Sequence, residues 1–541
     1  MKITLAGCKK LIIKIVEVVA EPVTCQPAFF LLLYVLLNAL DIFSLYFLNA
    51  YIPVFKTISG FFFCYLLSLP VVFLYPKFRK IYKTFVLVFS IFFFIIDFYL
   101  INVYGDTFHT FCPDIVGIIM ATNPQEANEF ISNYLVFDKI AILLLVLLSL
   151  FTIFFLLRKK TIRLQLWHKS LILVFVLFSA VQCIISIDRI RNNNFFLLFK
   201  VESTDLRKYV QNPVVETGET LPDNIVLLLG ESFAKSHSSL YGYEKNTNPL
   251  LAKMEADSML YVYDNITAAG LSTIPAVKAV MMGYTDEMSD SIEWYRCLTI
   301  LEVMKQVNYN TVWLSNQTKS GLMSNDIGCF SDLCDEQTFI DDKDVFAYAK
   351  ENSTGFFDER LVCELEELEY DSPKNFYVIH MMGSHYVYDK RYPSEFARMK
   401  AEDYSKTHAH LSVDNRQKVA EYDNSILYND SVVYEIMRKF EDRDAVVIYL
   451  SDHGQDVFDS SDDYAGHAKK GNAKSEEAGR NIPLMVYTSS LFREKHPELQ
   501  QRIETSVNRP YRTDSIMYTI MDVAGVETVN GVSYKHKSLF K

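Results

Sequence analysis

Five apolar stretches fill most of the first 190 residues, at about 28–48, 55–75, 84–104, 137–157 and 170–187. Each is close to the roughly 20 residues that a helix needs to cross a bilayer. Single runs of this kind can be buried core helices. Five of them, rich in Phe and Leu and joined by short loops, point to a membrane bundle instead. The first run is too long, and too far from the N-terminus, to be a signal-peptide core, so it reads as a retained helix.

The basic residues orient the bundle. Lys2, Lys9, Lys10 and Lys14 precede the first run, PKFRKIYK (76–83) carries four basic residues, and RKKTIRLQLWHK (158–169) carries five and a histidine. The remaining connection, 105–136, has Asp106, Asp114, Glu126 and Glu129 but no Lys or Arg. The positive-inside rule puts the N-terminus and both basic loops in the cytoplasm. Five spans then deliver everything after residue 188 to the far side, the periplasm of a bacterial inner membrane. Asp97 falls inside the third run, where an acid is either a functional group or one that reaches the interface. Residues 190–222 begin with FFLLF (195–199) and turn polar through QNPVVETGETLPD, the pattern of an interfacial helix and a linker.

The expected organisation is therefore a transmembrane domain over 1–189, the bridging segment over 190–222 and a periplasmic domain over 223–541. A chain of 541 residues with 50% hydrophobic and 22% charged residues suits that division. Its formal charge of -12 gives no support to a nucleic-acid partner. Among the nine cysteines, Cys329 and Cys334 are close enough in sequence to pair in an oxidising compartment, with Cys297 and Cys363 as further partners.

Beyond residue 223, the runs NIVLLL (224–229), NTVWLS (310–315), NFYVIHM (375–381) and AVVIYLS (445–451) read as buried strands, because they are continuously apolar rather than alternating. Stretches 357–369 and 415–440 have helical length and spacing. Strands alternating with helices predict an α/β fold with a mostly parallel sheet covered on both faces. Ligands of such sheets bind at the carboxyl ends of the strands.

Three of the four strands end in side chains able to hold a metal. The first runs into Gly230 and Glu231, the third contains His380 and continues to His385, and the fourth ends in Asp452 and His453, with His467 farther on. Carboxylate and imidazole together suit zinc or a similar divalent ion. Each residue alone has a plainer role as a cap or a hydrogen-bonded core group; their convergence on one sheet edge is what favours a metal. TAAGLSTIPAVKAVMMG (267–283) offers Ser272 and Thr273 ahead of a helical pattern, either as a helix cap or as a metal-activated nucleophile beside a helix N-terminus that favours phosphate.

GESFAKSHSSLYGYEKNTNP (230–249), HMMGSHYVYDKRYP (380–393) and SDHG (451–454), in this order, resemble the alkaline phosphatase and sulfatase superfamily. The whole chain, five spans included, is similar to the membrane-bound phosphoethanolamine transferases that modify lipopolysaccharide. The resemblance implies an alkaline-phosphatase/sulfatase-like doubly wound domain behind the membrane bundle. It also implies a tightly held zinc on Glu231, Thr273, Asp452 and His453, with Thr273 the nucleophile that carries phosphoethanolamine, and Ser272 beside it keeps that choice open. His380, His385 and His467 match family histidines that bind the phosphoryl group or a second zinc. Asn316 and Lys319 in SNQTKSG, and Thr122 and Glu126 in TNPQE, match substrate-binding stretches. The implied donor is phosphatidylethanolamine, and the implied acceptor is lipid A or the lipopolysaccharide core.

The chain departs from the family pattern in places. Ala269 and Ala279 occupy the neighbourhoods of a cysteine pair that often flanks the nucleophile, Gln455 replaces the acid after SDHG, and Ile118 stands where an asparagine is frequent. Rival readings are a glycerol-phosphate transferase using phosphatidylglycerol, a tethered sulfatase or phosphatase, and an inactive membrane scaffold. The sulfatase reading is disfavoured because Pro275 follows Ser272 by three residues and no Arg completes the formylglycine context.

Overall fold

The structure is a computed structural model and describes residues 5–47, 52–104, 137–157, 164–192, 205–218, 221–288, 291–317, 319, 327–340, 357–367, 372–462, 464–468 and 472–541. The chain divides into two compact units, 1–201 and 202–541. Thr122 and Glu126, and the expected interfacial helix at 195–199, lie outside the described residues.

The first unit is helical: α1 (Leu5–Thr24), α2 (Pro27–Phe47), α3 (Ile52–Phe73), α4 (Pro76–Tyr104), α5 (Phe137–Leu157) and α6 (Leu166–Asn192). The five expected runs fall on α2 to α6. Among the described residues, Pro76–Tyr99, Ile140–Leu157 and Leu166–Ile184 are each long and apolar enough to cross a membrane; Lys9–Thr24 and Pro27–Asn38, bent by 65°, make a fourth if taken as one broken span. Thr57–Phe73 is apolar but shorter.

Two details differ from the sequence reading. The basic residues at 76–83 belong to the first two turns of α4 rather than to a loop, because Pro76 has the fixed φ that suits a helix start. The residues ahead of the first apolar run are not a simple flank either. They form α1, whose Val16 and Ala20 are buried while Lys9, Lys10 and Lys14 remain exposed, so helical periodicity rather than overall hydropathy places it. Asp97 lies half-buried on α4 within the Pro76–Tyr99 stretch.

The second unit is built on a seven-stranded sheet. Its strands are β1 (Asn224–Gly230), β2 (Leu260–Tyr263), β3 (Asn310–Ser315), β4 (Glu336–Phe339), β5 (Asn375–His380), β6 (Ala445–Ser451) and β7 (Leu484–Thr488), in the order β2-β7-β6-β1-β5-β3-β4. The five strands from β6 to β4 are parallel, and β7 and β2 extend the sheet antiparallel at one side. β1 sits centrally. Its residues Ile225 to Leu229 have no exposed surface, and each such aliphatic side chain contributes about 1.5–3 kcal/mol by leaving water. All four strands expected from continuous apolar runs are present. The expected helix at 415–440 is α8 (Val413–Arg438), capped by Ser412, whose hydroxyl accepts the Asn415 N–H at 3.1 Å.

α8 also caps a neighbour. The helix Pro249–Ala256 starts at Asn248 without a side-chain cap, and the buried Asp430 takes that place, accepting Leu250 N at 2.9 Å and Leu251 N at 3.0 Å. Burial outweighs those donors and pushes the Asp430 carboxyl from 3.8 up to about 7. A pKa raised in the folded state means that folding takes up a proton. Asp430 therefore contributes stability that is complete below about pH 4 and is lost as pH rises through about 7. Asp430→Asn removes that dependence. Melting temperatures of the two proteins, compared between pH 4 and 8, should shift steadily in favour of the variant as pH rises.

No disulfide joins Cys329, Cys334, Cys297 and Cys363 in any combination, which corrects the pairing expected from sequence spacing. The short helix Gly328–Ser331 and the turn after it direct the Cys334 thiol back to the Phe330 carbonyl at 3.8 Å. Burial pushes its pKa up to about 12, so it stays protonated.

Candidate active site

Register explains why residues two hundred positions apart meet. Gly230 at the end of β1 pairs with Ser451 at the end of β6, and Leu229 pairs with His380 at the end of β5. The next residues out, Glu231 on one side and Asp452–His453 on the other, therefore leave the sheet at the same edge. Ser232 takes a left-handed backbone (φ 59°), which turns the chain sharply after Glu231. Tyr422 of α8 pins that turn: its hydroxyl donates to Ser232 O at 2.7 Å and accepts Ala234 N at 2.8 Å.

Glu231, Asp452 and His453 are fully buried, and one ligand atom from each lies within 4.8 Å of the others. His453 Nε2 is 3.4 Å from Glu231 Oε1 and 3.4 Å from Asp452 Oδ2. Its Nδ1 lies 2.8 Å from the Gly454 carbonyl, which fixes a proton on Nδ1 and directs Nε2 toward the carboxylates. Asp452 Oδ1 accepts Ser232 N at 3.0 Å and His453 N at 2.6 Å. No hydrogen bond ends on the buried Asp452 Oδ2.

Thr273 is the first residue of α7 (Thr273–Met282), with Ser272 at its N-cap. Thr273 Oγ1 donates to Glu231 Oε2 at 3.1 Å and lies 3.5 Å from His453 Nε2. Gly270 allows this approach, because a Cβ there would come within 2.6 Å of the Ala276 nitrogen in the first turn of α7.

Electrostatics mark the centre as short of positive charge. Burial works against ionisation of Glu231, yet the hydrogen bond and charge of His453, the charge of His385 and the Ser232 hydroxyl together hold its carboxyl well below the usual range. Burial and the neighbouring Glu231 charge push Asp452 the other way, up. Burial would lower His453, but the two carboxylates raise it. Two acids forced apart in this way form a site that a divalent cation would equalise. Two carboxylates, an imidazole nitrogen and a hydroxyl, with one carboxylate oxygen left without a donor, fit a zinc-type ion.

The other histidines differ among themselves. The His467 ring lies 5.0 Å from that of His453 and 6.3 Å from that of His385. Burial, then the charges of His453 and His385, lowers His467 to about 3, so it is neutral. His385 is held through Nδ1 by the Tyr386 carbonyl at 2.7 Å, and Arg391 Nε donates to the His385 carbonyl at 3.0 Å. His380 is fully buried against Trp313, with neither ring nitrogen hydrogen-bonded, and burial lowers it to about 4. It stands apart from the three-residue cluster.

Asn316 Nδ2 donates to Asp358 Oδ1 at 2.8 Å. Lys319 is tied to Asp332 at 2.7 Å and Gln337 at 3.0 Å. Among the described residues of SNQTKSG, Gln317 touches the cluster: its Nε2 donates to Glu231 Oε2 at 3.1 Å and to the Met381 carbonyl at 2.8 Å. Asp358 was also missed from sequence. It accepts Met382 N at 2.9 Å and Gly383 N at 2.8 Å, and so shapes the turn that leads to His385. Gly383 (φ 52°) lies so close to Glu231 that a Cβ would sit 2.6 Å from its carbonyl oxygen. The GSH run was the available signal for that turn.

Comparison with known proteins places this arrangement. Phosphoethanolamine transferase EptC of Escherichia coli (strain K12) is 26% identical over 313 residues, covering 56% of this chain and 51% of that protein. Kdo(2)-lipid A phosphoethanolamine 7''-transferase of the same strain is 24% identical over 347 residues, covering 61% and 58%. The chain thus spans about half the length of the curated relatives it matches. Among solved structures, the C-terminal periplasmic domain of EcEptC from Escherichia coli in complex with Zn is 25% identical, with a TM-score of 0.52, covering 61% of this chain and 89% of that one. The integral membrane lipooligosaccharide phosphoethanolamine transferase A (EptA) from Neisseria meningitidis shares the fold over 95% of this chain and 97% of its own, at 19% identity and a TM-score of 0.63. The sulfatase family profile matches residues 223–526, more than half of the chain and the whole sheet edge that carries Glu231, Thr273, Asp452 and His453, so this protein belongs to the sulfatase family.

Proposed function

We propose that the chain transfers phosphoethanolamine from phosphatidylethanolamine to lipid A or the lipopolysaccharide core, with Thr273 as the covalent carrier. The observation that carries this reading is the seat of Thr273. Its hydroxyl is at the first turn of a helix and hydrogen-bonds Glu231 within a buried cluster fit for a cation. The similarity to phosphoethanolamine transferases, one of them solved with Zn, supports the same reading. The catalytic domain begins at about residue 223, behind a membrane bundle with its N-terminus in the cytoplasm of a bacterial inner membrane. Residues 190–222 bridge the two.

Glu231, Thr273, Asp452 and His453 would hold the zinc, which when bound favours the alkoxide form of a ligating hydroxyl and polarises a phosphoryl oxygen. Glu231 Oε2 accepts the hydrogen of Thr273 Oγ1 and keeps that oxygen directed into the site. The N-terminus of α7 favours the anionic phosphodiester beside it. In the first transfer, the Thr273 Oγ1–P bond forms and the P–O bond to diacylglycerol breaks. The leaving oxygen takes a proton from His385, while the neutral His467 donates a hydrogen bond to the phosphoryl oxygens. In the second, an acceptor oxygen bonds to phosphorus as the Thr273 Oγ1–P bond breaks, the proton of an acceptor hydroxyl returns to His385, and Thr273 Oγ1 is freed in the form from which the first transfer began.

The test is mass spectrometry of lipid A and core oligosaccharide from cells with and without the gene. A phosphoethanolamine increment that depends on the gene supports the reading. Unchanged lipid A and core in cells where the protein is present at normal level would refute it.

A further inference from the structure

Three loops carry the reactive groups, and all three are fastened to one short segment, residues 479–481. Asn481 O accepts the Lys235 N–H at 3.0 Å, four residues beyond Glu231. Gly479 O accepts the Gly454 N–H at 2.7 Å, one residue beyond His453. Arg480 O accepts the Ala268 N–H at 2.8 Å, on the loop that leads into Thr273. Packing there is tight: a Cβ on Gly479 would lie 2.3 Å from the Ala468 side chain and 3.0 Å from that of Leu271, and one on Gly454 would lie 2.2 Å from the Ala478 carbonyl oxygen. His467 immediately precedes Ala468, so its segment meets the same point.

Backbone bonds make most of this junction, but one side chain completes it. Arg480 Nη1 donates to the carbonyl oxygens of Ala268 and Ala269, each at 3.1 Å. Ala269 N donates in turn to the buried Thr513 Oγ1 at 2.9 Å. Only three residues separate Ala269 from Thr273. The loop 268–272 has no named strand or helix of its own, so these bonds set where α7 begins.

We infer that Arg480 is a positioning residue: its guanidinium clamps the Ala268 and Ala269 carbonyls and thereby fixes the Thr273 hydroxyl against Glu231 and His453. Its side-chain hydrogen bonds go to these two carbonyls and not to Glu231, Asp452 or His453. Both bonds leave Nη1, whose hydrogens the planar guanidinium holds in fixed directions, whereas a lysine ammonium carries rotatable donors on a flexible stem. A small displacement of a reacting oxygen costs rate far more than affinity, on the order of 100-fold per ångström. The inference rests on the transferase reading for its kinetic arm and is independent of it for its structural arm.

The experiment compares full-length wild type, Arg480→Lys and Arg480→Ala in detergent micelles containing phosphatidylethanolamine as donor and lipid A as acceptor. The structural arm is amide hydrogen exchange. Arg480→Ala should raise exchange at residues 267–274 while leaving α8 protected as in wild type. The kinetic arm measures transfer from the lipid donor. Arg480→Ala should lower kcat by about 30- to 100-fold with KM within about twofold, Arg480→Lys should fall between, and guanidinium added to the Ala variant should restore part of the rate. Unchanged exchange at 267–274 in Arg480→Ala would overturn the clamp. So would a wild-type kcat, or a rate loss that merely follows exposure of α8, which signals general unfolding. Wild type that transfers nothing while the exchange pattern appears as expected would sink the transferase reading and leave the clamp standing.

Discussion

Thr273→Ala is expected to abolish transfer, by about 10⁴-fold or more, because it removes the atom that forms the bond to phosphorus. Of the two hydroxyls at the start of α7, Thr273 Oγ1 is the one that hydrogen-bonds Glu231, while Ser272 next to it occupies the N-cap position of α7. Ser272→Ala should therefore retain transfer within a few-fold. Thr273→Ser, which keeps the hydroxyl and gives up only a methyl group, should retain a measurable fraction of the rate. Incubation with a labelled phosphatidylethanolamine donor, followed by peptide mass spectrometry, should find the label on Thr273 in wild type and nowhere on 267–283 in the Ala variant. Equal labelling of Ser272 in the Thr273→Ala protein would contradict the assignment.

Chelation of the metal is expected to have the second largest effect, and it reads stability as well as rate. Glu231 and Asp452 are both without exposed surface, and Asp452 Oδ2 has no hydrogen-bond donor. Without a cation, burial and the charge of Glu231 push the Asp452 carboxyl up, so that ionising it costs stability. A cation present at a thousand times its Kd stabilises the fold by about 4 kcal/mol, several degrees in Tm for a domain of this size. A strong chelator should lower the Tm of the wild type by that amount and stop transfer, and added zinc should restore both. Asp452→Asn keeps the shape of the side chain and loses the charge. Its Tm should respond little to chelator or zinc. A wild type whose Tm and rate ignore a strong chelator would remove the metal from the reading.

Much of the fold was legible from sequence because it follows from burial alone. A strand covered on both faces must be continuously apolar, and 224–229, 310–315, 375–381 and 445–451 are. The apolar runs of the first unit were equally plain, since a bilayer imposes length and hydropathy on a helix without help from its neighbours. α1 was less plain, because its apolar residues alternate with lysines and only helical spacing brings Val16 and Ala20 to one face. The short strands at 260–263 and 336–339 escaped notice for a related reason: they lie at the two sides of the sheet, and their burial is mixed.

The candidate site divides along the same line. Glu231, His380, Asp452 and His453 could be proposed from sequence because each follows or ends an apolar strand, and parallel strands deliver their carboxyl ends to one edge. The order of sulfatase-type motifs was likewise a property of the chain alone. Which hydroxyl faces the acids, and that Gln317 rather than Lys319 reaches Glu231, depended on a loop and a helix start that no periodicity specifies. The Cys329–Cys334 pairing failed for the same reason, since closeness in sequence says nothing about where a short turn directs a thiol. Three loops, at Lys235, Ala268 and Gly454, are fastened at 479–481 by backbone amides and one guanidinium, groups available to almost any sequence. The hydropathy and length of the apolar runs were fixed locally; the order of the strands and the contacts that aim Thr273 exist only once the sheet has brought distant segments together.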